Sequence, residues 1–152
     1  GSGTVSIAAA GLEPVSTAGS QIASSPRFDS VLAQTVQFFT NRGIRVILLG
    51  QIPIYENMPL RCIVGAVSAG KDASICGMSS TQARRALARS NAALRRAAEA
   101  NPLVSAALPS DMMCAADRCS PMLDGTLLYR NGGHLNRFGA LKLRPLVNFP
   151  QL

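Results

Sequence analysis

Tryptophan is absent from this 152-residue chain, histidine occurs once, and lysine appears only as Lys71 and Lys142. With aromatic residues at 5%, no aromatic-rich binding face can be built, and the core must consist of aliphatic residues and alanine, which favours layered helix and sheet packing. No run of about 18 apolar residues occurs, so no segment reads as a membrane span. No basic stretch followed by an apolar one suggests a signal peptide, and Gly1-Ser2-Gly3 reads as a linker or cloning scar. The near-absence of lysine means that the net charge of +7 rests almost wholly on arginine. The one dense group, Arg84, Arg85, Arg89, Arg95 and Arg96, falls in an alanine-rich helix without interleaved aromatics. That pattern describes a solvated helix face, and we expect no nucleic-acid partner.

What is present is a globular composition, 47% hydrophobic, in a length suited to one folded unit. Residues 4–10, TVSIAAA, read as a short buried strand, followed by a Gly-, Ser- and Pro-rich loop to about Ser25. Ser25 as cap and Pro26 at the first helical position open a helix carrying Phe28, Val31, Leu32, Val36 and Phe39 at helical spacing, closed by Asn41-Arg42-Gly43. IRVILLG, residues 44–50, is a strand. Residues 51–78 read as irregular. The longest helix follows over 79–100, capped by Ser79, Ser80 or Thr81, with Ala83, Leu87, Leu94 and Ala98 on one side. Asn101-Pro102 ends it, and LVSAAL, residues 103–108, is a third strand. The alternation predicts an α/β fold with a parallel sheet.

Four cysteines allow three pairings; the sequential one, Cys62 with Cys76 and Cys114 with Cys119, closes short loops without threading the core. Structural zinc prefers close pairs such as C-x-x-C, so we expect disulfides, an oxidising compartment, and no metal or cofactor. GAVSAGKD, residues 65–72, matches G-x-x-x-x-G-K but places Asp72 where a phosphate loop needs a hydroxyl, and is read as a loop closed by Cys62 and Cys76.

The single histidine, His134, lies in NGGHLNRFGA, residues 131–140, between the extended TLLYR of residues 126–130 and a helix that Asn136 can cap and Pro145 should end. Parallel α/β domains place ligand-facing residues in such loops. In many hydrolases an acid three residues before the histidine orients its ring, and here that position is Asn131. Asp124 is a poor substitute acid, since an extended TLLYR would carry it about 20 Å from His134.

LDGTLLYRNGGHLNRFGALKL, residues 123–143, resembles the final block of SGNH-type serine hydrolases, specifically the SGNH domains fused behind bacterial membrane acyltransferases that O-acylate cell-surface sugars. Tyr129-Arg130, His134-Leu135, Asn136 and Gly139-Ala140 follow the family pattern in order. The order of strands, helices and cysteine loops extends the resemblance from about residue 4 onward, as a single domain over residues 4–152. It implies a three-layer α/β/α, flavodoxin-like parallel sheet, here the C-terminal portion of such a domain and incomplete at its N-terminus. It also implies that His134 is the catalytic base, with Asn131 at the family's aspartate position. An amide there holds a histidine by hydrogen bond but supplies no charge to its imidazolium; in a serine protease the same exchange lowers turnover by about 10⁴. The family's Gly-Asp-Ser nucleophile motif does not occur in this sequence.

The resemblance implies an extracytoplasmic carbohydrate O-acyltransferase or esterase that moves an acyl, typically acetyl, group on cell-surface polysaccharide by Ser-His chemistry, impaired in this chain. Its partners would be a carbohydrate acceptor, an acyl donor, and either a membrane acyltransferase domain or a missing N-terminal segment. It would be periplasmic or extracellular, tethered to the inner membrane through the fused domain. The alternatives are a non-catalytic SGNH-like domain that binds or positions a glycan, and a basic module whose polyanion binding would depend strongly on salt.

Overall fold

The computed structural model describes residues 4–8, 26–115 and 117–146. The chain divides into two compact units, residues 1–51, 86–108 and 149–152 in the first and residues 52–85 and 109–148 in the second.

The first unit carries the strand-helix alternation. Strands β1 (Thr4–Ala8), β2 (Arg45–Leu49) and β4 (Val104–Ala107) form one parallel sheet in the order β1-β2-β4, with Val5 opposite Val46 and Val46 opposite Val104. Helix α1 (Pro26–Thr40) links the first two strands, and helix α3 (Ser80–Glu99) precedes the third. Val46 and Leu48, two apart and so on one face of β2, pack with Val104, Leu108, Val36 of α1 and Leu94 of α3. Both helices therefore cover the same sheet face. Ile47 points the opposite way and is buried too, as a central parallel strand requires.

Helix α1 ends as its sequence predicts. Gly43, at φ +71°, donates to the Thr40 carbonyl, and Ile44 donates to that of Phe39, the pair of bonds that closes a helix on a left-handed glycine. Val31, however, is exposed, so the apolar stripe of α1 narrows to Leu32, Val36 and Phe39. The proposed Ser25 cap, the whole 11–25 loop and Gly1-Ser2-Gly3 lie outside the described residues. On α3, Ala83, Leu87 and Leu94 are buried and all five arginines are exposed.

The second unit departs from the alternation. Residues 51–78 are not irregular throughout: Leu60–Ser68 form helix α2, burying Ile63 and Ala66, and Ala73–Cys76 form a 3-10 turn capped by Asp72. Residues 65–72 are therefore the end of a helix and its exit rather than a loop. Gly65 disguised the helix in sequence, because glycine is a poor helix former, while the Cys62–Cys76 disulfide pins α2 to the 3-10 turn. The second predicted disulfide, Cys114–Cys119, is also formed.

Around these lie short pieces: β3 (Met78–Ser79) antiparallel to β5 (Arg118–Cys119), helix α4 (Pro109–Met113), the pair β6 (Met122–Leu123) and β7 (Thr126–Leu127), and the pair β8 (Tyr129–Asn131) and β9 (His134–Leu135). Helix α5 (Arg137–Leu143) follows, and Pro145 falls in the 3-10 turn that ends it. The fold is α/β, but the parallel sheet has three strands among the described residues, fewer than the flavodoxin-like sheet expected. After β4, runs of two or three extended residues broken by Gly and Pro are too short to extend it.

Candidate functional site

The site is built on the two-residue turn Gly132-Gly133, which joins β8 to β9 and places Asn131 opposite His134. Glycine at 132 is demanded by space: a Cβ there would lie 1.8 Å from the Tyr55 carbonyl oxygen. That approach lets the Tyr55 N–H donate to the Gly132 carbonyl at 2.8 Å, tying the turn to the segment after Pro53.

Below the turn two tyrosines form the floor. Tyr55 and Tyr129 meet edge to face, centroids 5.1 Å apart, in a cluster with Met113, Leu128 and Leu143. The Tyr129 hydroxyl donates to the Pro53 carbonyl at 2.7 Å, and the Tyr55 hydroxyl donates to that of Cys119 at 2.5 Å. Burial pushes the Tyr55 hydroxyl up to about 12; burial, then the neighbouring Tyr55, raises that of Tyr129 further. Both therefore remain protonated donors at any physiological pH.

Asn136 locks the other side. Its Oδ1 accepts from the Gly139 N–H at 2.7 Å, capping α5 as predicted, while its Nδ2 donates to the Leu127 carbonyl at 2.7 Å. Gly139 has the same spatial role as Gly132: a Cβ there would sit 2.1 Å from the Leu128 carbonyl oxygen, so α5 seats directly on the backbone of fully buried Leu128. Asp124, in the turn between β6 and β7, forms an ion pair with Lys142 at 3.0 Å, outside the His134 contact.

At the tip, Nδ1 of His134 lies 2.8 Å from Asn131 Oδ1, which also accepts from the Gly133 N–H at 3.1 Å. The second bond decides the first. A backbone N–H only donates, so the asparagine atom between them is its oxygen, and Nδ1 must carry the ring proton. In the neutral ring Nε2 is then the nitrogen without a proton, on an exposed side chain, where it can accept one from a hydroxyl. Among the described residues, no side chain hydrogen-bonds to Nε2.

The structure thus brings together the two residues singled out in sequence, His134 and Asn131. It adds Tyr55, Tyr129, Gly132 and Gly139 as supports. Tyr129 and Gly139 belong to the quoted block, but their reasons depend on Pro53 and Leu128, which spacing alone does not reveal.

A family model described as "SGNH domain (fused to AT3 domains)" matches residues 4–149. No curated protein and no solved structure matches the chain. With a match across almost the whole sequence, this chain belongs to the SGNH domains found fused to AT3 acyltransferase domains.

Proposed function

We propose that the chain is the histidine-bearing part of an SGNH serine O-acyltransferase or esterase domain. It acts outside the cytoplasm on hydroxyls of cell-surface carbohydrate, beside a membrane acyltransferase domain that tethers it and supplies the acyl, typically acetyl, group. The observation that carries this reading is the hydrogen bond from His134 Nδ1 to Asn131 Oδ1 on an exposed ring, which leaves Nε2 without a side-chain partner among the described residues.

In this reading a serine from a segment outside this sequence stands against Nε2 and completes a flavodoxin-like, three-layer domain. The ring takes the hydroxyl proton as Oγ attacks the acyl carbonyl, then returns it to the leaving group; a sugar hydroxyl or water reverses the sequence. Asn131 keeps the ring oriented throughout but adds no charge to the imidazolium, so turnover is slow. The neutral amide also favours a second reading, in which the domain positions a glycan and does no chemistry.

The test is fluorophosphonate labelling, read by mass spectrometry, of this chain and of the full reading frame. We expect one labelled serine in the full protein and its loss in His134→Ala. Absence of labelling in a folded full-length protein would overturn the enzymatic reading in favour of the positioning domain.

A further inference from the structure

Asn131 is followed by Gly132, the sequence in which an asparagine side chain most readily cyclises onto the next backbone nitrogen, because glycine offers no side chain to block the approach. Here the reacting carbonyl is also prepared. Asn131 Oδ1 accepts from both the His134 Nδ1–H, at 2.8 Å, and the Gly133 N–H, at 3.1 Å. Two fixed donors on one carbonyl oxygen polarise Cγ and stabilise the oxyanion formed when a nucleophile adds to it, as an oxyanion hole does in acyl transfer. The residue is exposed, so water reaches it.

We infer that Asn131 is a self-modification site, which the folded turn converts to aspartate. The Gly132 nitrogen attacks Cγ and gives up its proton; the Cγ–Nδ2 bond breaks and ammonia leaves, closing a succinimide. Water then adds to Cγ, the Cγ–N bond to Gly132 breaks, and the nitrogen recovers a proton, leaving a carboxylate. No oxidant, cofactor or second protein is needed.

The fold also selects between the two products. Opening at the other carbonyl would insert an extra backbone atom at residue 131, where it is paired with His134 and one residue from the Gly132–Tyr55 hydrogen bond. Aspartate keeps both, and its oxygen accepts the same two donors with charge assistance. The chain would thus be made with a neutral partner for its histidine and acquire a charged one with age. This deepens the reading of Asn131 as the group that orients His134.

The experiment incubates the purified chain at neutral and mildly alkaline pH, folded and in denaturant. Samples are quenched and digested in acid, and residue 131 is followed by mass spectrometry with an isoaspartate-specific assay. Asn136, followed by Arg137, is the internal control, and Asn131→Asp is the product standard. We expect aspartate at 131 to accumulate faster in the folded than in the unfolded chain, and several-fold more slowly in His134→Ala that circular dichroism shows to be folded. An amide that persists in the folded chain while the unfolded chain converts, or isoaspartate as the main product, would overturn the inference. The readout needs neither a nucleophilic serine nor a substrate, so it fails or succeeds independently of the labelling experiment.

Discussion

Asn131 and aspartate are nearly the same shape, so exchanging them isolates charge from geometry at His134. In a full-length protein carrying its nucleophile, Asn131→Asp should raise kcat by up to about 10⁴ with KM little changed, measured as ester hydrolysis under saturating substrate. An unchanged kcat would show that the imidazolium is not formed in the slow step. Gly132→Ala makes the opposite demand, testing geometry alone: its methyl would meet the Tyr55 carbonyl at 1.8 Å, and the variant should lose about 1–3 kcal/mol in denaturant unfolding. At this scale the sequence was legible where chemistry is local. His134, Asn131 and the Asn136 cap are separated by few residues, and their contacts follow from chain geometry. Gly132 and Gly139 were not legible as packing residues, since their constraints come from Tyr55 and Leu128, which no short-range pattern connects to them.

At the scale of elements, α5 and the turn before it are held by one side chain. Asn136→Ala removes the Gly139 cap and the donor to Leu127 together. Loss of the cap alone costs about 1 kcal/mol, so urea unfolding should show at least that, with Asn136→Asp, which keeps the accepting oxygen, recovering part of it. The elements legible in the sequence include α1, β2 and α3, where apolar residues recur over several turns or fill a central strand, and also β1, β4 and α5, marked by short apolar runs or by the Asn136 cap. Helix α2 escaped because its nine residues contain a glycine and bury only Ile63 and Ala66. The two-residue strands β3, β5, β6, β7 and β9 are shorter than one cycle of any periodic signal.

For the molecule as a whole, the tyrosine floor sets an alkaline limit. A free tyrosine hydroxyl titrates near 10.0, whereas burial pushes that of Tyr55 up to about 12. The unfolded chain therefore loses this proton first. The resulting stability is complete below about pH 10 and falls as pH rises from there through about 12. Melting temperature measured across that range should decline less steeply in Tyr55→Phe than in the parent, and equal slopes would remove the hydroxyl from the account.

The same tyrosines have an optical consequence. The chain contains no tryptophan, and its two tyrosines both belong to the unit that carries His134. The parallel-sheet unit has only phenylalanine among its aromatics, so emission excited at tyrosine wavelengths comes from one unit alone. The histidine-bearing unit thus has a built-in, label-free reporter, and comparing that signal with backbone circular dichroism resolves which half of the protein unfolds first.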